Sequence, residues 1–202
     1  MDEPLPGVWH WTALHPNIKS VVHCHYAVAA RTLFDPLVPD EGLEVFEAHG
    51  PPERVVLSNR HHLRHAERFA DAFGCTLHCN RTGLHEFEGG PRVEGFDPGD
   101  ELAPGIVARE VGAICPDDTA LQIDAGPGAL LFADGLIRGY GDADELGFVP
   151  DFLIGDDPEG VKAALRAAFA RLAEADDFEA LLFAHGAPWP SGGRAALRDF
   201  AA

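Results

Sequence analysis

Runs of apolar residues, broken by glycine and proline, divide the first part of the chain into short elements. Residues 20–30 and 31–39 predict a hairpin and a following loop, with the second strand ending near Asp35 because prolines follow it. Residues 42–50 carry apolar positions at helical spacing and end in glycine, which predicts a short helix. Residues 51–58, PPERVVLS, then predict a buried strand opened by prolines.

A helix is predicted directly after this strand. From Leu63 the apolar residues fall on one helical face, and Gly74 can close the helix in a left-handed conformation. Residues 75–112 alternate short apolar runs with glycine and proline, which predicts two or three short strands with exposed turns. The histidine-rich stretch between 55 and 74 therefore lies where a strand leads into a helix.

The C-terminal part repeats this alternation of strands and helices. Residues 119–139 predict two strands around a Gly-Pro-Gly turn, the second ending at Asp134. A helix is predicted over 157–175, then a buried strand over 178–188 that ends at His185, and a closing helix. The acidic run GDADE, before the long helix, is interpreted as a solvated turn.

Composition limits the partners and the location of the protein. The 202 residues include 33 acidic and 15 basic residues, a net charge of −18. This charge argues against nucleic acid and anionic membranes as partners. The length fits one domain over residues 1–202, and no pattern indicates an oligomeric state. The N-terminus lacks a signal peptide and four cysteines are too few for a disulfide scaffold, so we expect a cytoplasmic protein.

Polar residues follow three of the predicted core strands. Residues 59–65, Asp134 and His185 each come just past a strand, where ligand-binding groups converge in sheets covered by helices. Histidine and aspartate from separate strands are ligands that zinc, iron and manganese share. Any one of these residues by itself is better explained as a surface, capping or hydrogen-bonding group, but their coincidence at three strand ends favours a site.

The order of these motifs resembles the metallo-β-lactamase fold family over nearly the whole chain. TLFDPLVP matches a strand ending in Asp-Pro, and LSNRHHLRH takes the place of the His-x-His-x-Asp-His motif. LLFADG and LLFAHGAP match the later strands that end in aspartate and histidine. The resemblance implies an α/β (α+β) fold, a four-layer αββα sandwich, and a hydrolase that uses a water-derived nucleophile.

The chain departs from the family motif at several ligand positions. The alignment places Asn59 at the first histidine, His61 at the second, Leu63 at the aspartate and Arg64 at the last histidine. The segment VGAICPDDTAL, at the place of the third histidine, offers no imidazole. Leucine cannot bind a metal and the fixed charge of arginine repels a dication, so a two-metal site is not expected.

The resemblance still allows a site for one zinc, iron or manganese ion. His61, Asp134 and His185 would supply two histidines and one carboxylate, with open positions for water and substrate. In this interpretation Asp134 and His185 are the catalytic pair, and His185 binds the metal or carries a proton. Asn59 would orient a bound water, and Arg64 would bind a carboxylate or phosphate of the substrate. The substrate would be a small ester, thioester, lactone or phosphoester.

A metal-free relic of the fold is the alternative. Arg64 would then fill the vacated site and pair with Asp134, and the protein would bind an anion or act as an interaction protein. His62 and His65 are extra histidines, and His65 shares a side with His61 if the helix has already begun. His23 and His25 share one face of a predicted strand and are interpreted as packing or surface residues.

Overall fold

The computed structural model describes residues 1–139 and 144–202. Strands and helices alternate through the chain, with two 3-10 helices at Arg60–His62 and Arg81–Phe87. The other elements are β1 (Asp2–Leu5), β2 (Val8–Leu14), β3 (Val21–Ala27), β4 (Thr32–Phe34), α1 (Glu44–Glu47), β5 (Arg54–Leu57), α2 (Ala66–Phe73), β6 (Thr76–Asn80), β7 (Val93–Phe96), β8 (Glu101–Ala103), β9 (Ile106–Glu110), β10 (Thr119–Ile123), β11 (Ala129–Phe132), β12 (Ile137–Arg138), β13 (Leu146–Gly147), α3 (Asp151–Ile154), α4 (Pro158–Ala175), β14 (Ala180–Phe183) and α5 (Gly193–Ala201).

Two large sheets face each other and helices cover their outer surfaces. One sheet has seven strands in the order β1 to β7, and the other has five in the order β14-β11-β10-β9-β8. One apolar cluster lies between the sheets. A second joins the first sheet to α1 and α2, and a third joins the second sheet to α4 and α5. These three clusters define the four layers of an αββα sandwich, as predicted.

The central strands are apolar on both faces because both faces are covered. In β5, Val56 faces the other sheet while Val55 and Leu57 face the helices. In β14, Leu182 faces the other sheet while its neighbours on either side pack against α4 and α5. Strands buried on both sides therefore appear in the sequence as continuous apolar runs rather than as alternating patterns.

The helices agree with the sequence pattern, but one region is richer in strands than predicted. Gly74 closes α2 with φ of 72°, and its N–H donates to Ala70 O at 2.8 Å. The Asp157 side chain caps α4 by accepting from Gly160 N at 3.0 Å. Residues 75–112 contain four strands and a 3-10 helix instead of two or three strands, because β6 pairs in parallel with β7, and the short strands β8 and β9 pair across the turn at Gly105.

Parallel pairing brings the ends of four strands to one edge of the sandwich. β4 pairs in parallel with β5, and β11 pairs in parallel with β14. In the second pair Phe132 lies opposite Phe183, so Asp134 and His185 come two residues beyond a matched position. The polar residues that follow these strands therefore meet at the same end of the molecule.

Hydrogen bonds hold the two sheets together at this end. His23 N donates to Ala184 O at 2.9 Å, and the His25 Nε2 atom lies 3.0 Å from Phe183 O. His25 is 1% exposed and its ring lies 5.1 Å from that of His10. The packing role predicted for His25 is confirmed, and the His25 ring joins β3 to β14 across the sandwich.

Other expectations from the sequence concern properties that the fold does not decide. No helix within residues 1–139 and 144–202 has the length and apolar character needed to cross a bilayer. The cytoplasmic location and the single-domain organisation stay predictions. Most of the acidic turn predicted from GDADE lies outside the described residues.

We expect His25 to make the fold sensitive to acid. Burial and the neighbouring His10 lower the pKa of His25 from its usual value of 6.5 to about 3. Below pH 6.5 the unfolded chain binds a proton at this position that the folded protein does not, so stability falls as the pH falls. Between pH 6.5 and about pH 4.5 the cost is about 2–3 kcal/mol. Urea unfolding of the wild type and of His25→Gln should show this difference.

The matched control is His85→Gln, since His85 is exposed. Its unfolding free energy should follow the wild type at both pH values. Equal pH dependence in the wild type and in His25→Gln would show that His25 does not resist protonation in the folded state.

Candidate metal centre

Two histidines and one aspartate bring their polar atoms together at the strand ends. Asp134 Oδ1 lies 3.2 Å from His185 Nε2 and 3.4 Å from His62 Nε2. One ligand atom from each residue lies within 4.8 Å of the other two. Within residues 1–139 and 144–202, no other group of three histidine, cysteine or acidic residues meets this distance. Asp134 and His185 thus converge as the sequence predicted.

The third member of the cluster is His62 and not the predicted His61. Asn59 is the N-cap of the 3-10 helix Arg60–His62, and its side-chain oxygen accepts from His61 N at 2.9 Å. In this helical turn the side chains no longer alternate between two faces as they do along β5. His61 is exposed and His62 is buried. His65 also lies outside the cluster, because its Nδ1 accepts from Val38 N at 3.1 Å. The histidine that lies in the cluster is thus one residue after the one that the motif alignment indicated, and the ligand role of His61 stays a prediction.

Asp35 holds His62 from the side opposite Asp134. The Asp35 Oδ2 atom lies 3.0 Å from His62 Nδ1, and Oδ1 accepts from Ser58 N at 2.8 Å. The Ser58 hydroxyl donates to the same carboxylate. Asp35 comes directly after β4 and has a φ of 47°, an uncommon value outside glycine. These bonds fix the imidazole so that Nε2 points toward Asp134 and His185.

Asn59 positions Asp134. Its Nδ2 donates to Asp134 Oδ2 at 2.7 Å, and the Asn59 side chain is fully buried. Both ends of the amide are therefore used, one on the backbone of His61 and the other on the carboxylate. The direct role predicted for Asn59, orienting a bound water, stays a prediction. The structure gives it a contact with the carboxylate of the cluster.

The ionisable groups of the cluster shift the pKa values of one another. Burial alone would lower the pKa of His62, but the carboxylates of Asp134 and Asp35 outweigh burial and raise the pKa to about 9. Burial opposes ionisation of Asp134, yet His62 and His185 hold the pKa of this carboxyl well below its usual range. Burial lowers the pKa of His185 despite the neighbouring Asp134. Without a metal, the cluster therefore holds a charged His62 between two carboxylates.

Arg64 does not pair with Asp134, so the contact expected for a metal-free relic is wrong. Its Nη1 donates to Asp35 O at 2.7 Å and to His23 O at 3.0 Å, and its Nη2 donates to Ala184 O at 3.3 Å. These carbonyls belong to β3 and to the ends of β4 and β14, and so to both sheets. A φ of 43° at Arg64 directs the chain so that the guanidinium reaches them. Arg64 is thus a cross-link between the sheets whose charge faces the same cavity as the cluster.

Comparison with known proteins rests on structure alone. No protein-family model and no curated protein matches the sequence. A B3 metallo-β-lactamase with an active-site glutamic acid superposes with a TM-score of 0.62 at 14% identity, over 98% of this chain and 84% of that one. TTHA1623, in a di-iron-bound form, gives 0.60 at 20% identity over 93% and 91%. The metallo-β-lactamase family protein TTHA1429 from Thermus thermophilus gives 0.64 at 15% identity over 98% and 77%.

The chain has the metallo-β-lactamase fold. At these identities the similarity concerns the arrangement of strands and helices and not the ligand residues. The candidate centre nevertheless lies where the strand ends of this fold converge, so the fold accounts for the meeting of Asp134 with His185.

The segment that replaces the third histidine of the fold's motif carries two buried acids. Asp117 accepts from Arg60 N at 2.6 Å and also binds the Arg60 guanidinium. Burial, and then the charge of Asp134, raise the pKa of Asp118 well above its usual range. Cys115 lines the cavity, but burial and these acids raise the pKa of its thiol to about 12. The segment therefore places no imidazole and no thiolate at the cluster.

An open cavity of about 940 Å³ contains the cluster. Its volume lies near the upper end of the range of about 300–1,000 Å³ that small-molecule sites occupy. Three arginines line it, Arg60, Arg64 and Arg138, with Asp134 as the carboxylate among the lining residues. Arg60 pairs with Asp117 and Arg138 pairs with Asp144, whereas the described partners of Arg64 are carbonyl oxygens and the Cys24 thiol.

The donor set fits one transition-metal ion. Two imidazole nitrogens and one carboxylate oxygen, on the wall of an open cavity, form the ligand set of catalytic zinc and non-haem iron sites. Asp35 on the far nitrogen of His62 matches the outer carboxylate that orients metal-binding histidines. The positions that serve a second metal in the aligned motif hold Leu63, which packs among the apolar residues under α2, and Arg64.

We expect Arg64 to stabilise the fold through the several N–H donors of its planar guanidinium rather than through its charge alone. Arg64→Ala removes the charged hydrogen bonds to the carbonyls of His23, Asp35 and Ala184 and should lower the free energy of unfolding by about 2–4 kcal/mol. Arg64→Lys keeps the charge but not the planar guanidinium, so it should restore less than half of this loss. Urea unfolding measures both. Arg68→Ala, on the exposed side of α2, is the control and should stay within about 0.5 kcal/mol of the wild type.

Proposed function

We propose that the protein is a hydrolase that uses one divalent transition-metal ion, held by His62, Asp134 and His185. The observation that carries this proposal is the convergence of three ligand atoms on the wall of a cavity large enough for a substrate. The substrate would be a small ester, thioester, lactone or phosphoester. Zinc, iron and manganese all accept this ligand set, and the proposal covers any of them.

A metal ion at this position would supply a Lewis acid that polarises the scissile bond and lowers the pKa of water. The protein's own residues would prepare the site. Asp35 keeps Nε2 of His62 directed at the cluster, and Asn59 fixes the orientation of the Asp134 carboxylate. His185, which is less buried than His62 and lines the cavity, would either complete the ligand set or, where it does not bind the ion, hold or transfer a proton.

Arg64 supports binding of an anionic group of the substrate. Among its described contacts are three carbonyl oxygens and no carboxylate, so its charge is not neutralised by a direct partner. The guanidinium faces the cavity beside the cluster. A fixed positive charge there would attract a carboxylate or phosphate, or stabilise negative charge that develops on the substrate.

A metal-free anion-binding protein is the second candidate, and the position of His62 between two carboxylates favours it. The ring lies 3.0 Å from Asp35 and 3.4 Å from Asp134, and these carboxylates raise its pKa to about 9. A protonated His62 satisfies the cluster without a metal, and the positive charge of Arg64 in the cavity lining remains available to an anion. The two candidate functions differ in what links His62, Asp134 and His185, which is a metal ion in the hydrolase and the proton on His62 in the metal-free protein.

Metal content of the purified protein tests the proposal. Tag-free protein, prepared without chelator and dialysed against zinc or manganese, should retain about one ion per chain, since one donor set is present in the described residues. His62→Ala should weaken binding by more than the ~10–100-fold typical of an outer partner. His61→Ala is the matched control, and it should bind within about threefold of the wild type because its ring lies outside the cluster.

Two results would contradict this assignment. Loss of metal in His61→Ala, with retention in His62→Ala, would restore the alignment that places His61 in the site. A wild type that holds no metal, and whose melting temperature is the same with and without added metal or chelator, would favour the metal-free candidate.

Hydrolysis is the second test, on a panel of nitrophenyl esters, thioesters, lactones and phosphoesters. The metal-loaded wild type should hydrolyse at least one class, and Asp134→Asn should lower kcat/KM by at least about 100-fold because a ligand is lost. Arg64→Lys should act mainly on KM for anionic substrates. Activity that survives both chelator and Asp134→Asn would show that the cluster is not the catalytic centre.

A further inference from the structure

The largest exposed apolar side chains gather at the mouth of the cavity. Among residues 1–139 and 144–202, five large apolar residues besides Met1 are well exposed, and they belong to α3 and to the β2–β3 connection with its flanking strand ends: Leu14, Ile18, Val21, Phe152 and Leu153. Ile18 and Val21 line one side of the cavity, and Leu153 lines it together with Val149 and Pro150. Exposed apolar groups that concentrate around a cavity are typical of a ligand-binding surface.

Both segments are held in place, so the exposure is a feature of ordered structure. In the β2–β3 connection His15 N donates to Ser20 O at 2.9 Å, and Lys19 N donates to His15 O at 3.1 Å. This closed turn holds Ile18 outward. In α3, Ile154 is buried and Asp151 pairs with Lys162 of α4 at 2.8 Å. The β2–β3 connection and α3, which carry the apolar rim, are therefore both held in place by hydrogen bonds or packing.

The cavity thus has two chemical zones. The cluster and Arg64 form a polar centre, and Ile18, Val21 and Leu153 form an apolar rim around the opening. A sugar or nucleotide would leave the rim exposed to water. A ligand with a polar reacting group and an apolar chain matches both zones, because the chain would cover the rim while the polar group reaches the cluster.

We infer that the substrate is a carboxylic ester or thioester of an apolar acyl chain, with the chain lying against Ile18, Val21 and Leu153. This inference rests on the proposed function and narrows its substrate class. In the reaction, the oxygen of water bonds to the carbonyl carbon and the C–O or C–S bond to the leaving group breaks. The products are a carboxylate, an alcohol or thiol that takes up one proton of the water, and a second proton released to solvent.

Binding of product-like chains tests the inference without turnover. Calorimetry with butanoate, hexanoate, octanoate and decanoate, each below its micelle concentration, should show affinity that rises by up to about fourfold per added methylene. The same series run on Asp134→Asn should keep this dependence on chain length, because the rim is unchanged. The carboxylate group is the same in every probe, so the trend reports on the chain alone.

Matched surface variants locate the chain. Ile18→Ser with Leu153→Ser removes apolar groups that line the cavity, whereas Leu14→Ser with Phe152→Ser removes neighbouring groups that are equally or more exposed but do not line it. The first pair should lower the affinity for decanoate by at least about tenfold while leaving butanoate unchanged. The second pair should leave both affinities within about twofold. All variants should melt within a few degrees of the wild type, since no buried residue changes.

The outcomes separate this inference from the proposed function. Chain-length dependence without any hydrolysis would uphold the apolar site and remove the hydrolase. Hydrolysis that is indifferent to chain length, or that prefers phosphoesters, would uphold the hydrolase and overturn the acyl assignment. Equal loss of decanoate affinity in both double variants would also overturn it, because the apolar surface would then act without regard to the cavity.

Discussion

Asp35 is a carboxylate that the fold buries almost completely at the end of β4, and the surrounding structure is arranged to satisfy it. A buried charge without partners costs several kcal/mol, so such a group persists only where donors are supplied. Ser58 and His62 supply them, and both come from the turn that follows β5. The need to satisfy Asp35 therefore determines how the chain leaves β5 and which histidine points inward.

The same constraint links the two candidate functions. His62 lies between Asp35 and Asp134, and in the metal-free protein these carboxylates raise the pKa of its ring so that it holds a proton. An imidazole that binds a metal must be neutral, so binding of a metal ion at His62 requires that this proton leave the ring. One geometry thus fits a catalytic metal centre and a stable buried ion pair, and the difference lies in the occupant.

The sequence by itself located the buried strands and most of the site, and the four layers were implied by the resemblance of its motif order to the metallo-β-lactamase fold family. Continuous apolar runs predicted strands covered on both faces, and Asp134 and His185 were found because each follows such a run directly. The same reasoning excluded Leu63 and Arg64 as ligands, since neither side chain can bind a dication. These patterns are local. An apolar strand is buried whichever strands it pairs with, so its sequence predicts its burial without knowledge of the tertiary structure.

Tertiary structure decided which histidine joins the site and what Arg64 does. Asn59 can cap a helix or continue a strand, and the choice that exposes His61 and buries His62 depends on Asp35, a residue that follows another strand. The carbonyls that bind Arg64 likewise belong to β3 and to the ends of β4 and β14, which are distant in sequence. Local patterns carry no information on such partners, because a buried charge takes its orientation from groups that only the assembled sheets bring within hydrogen-bond distance.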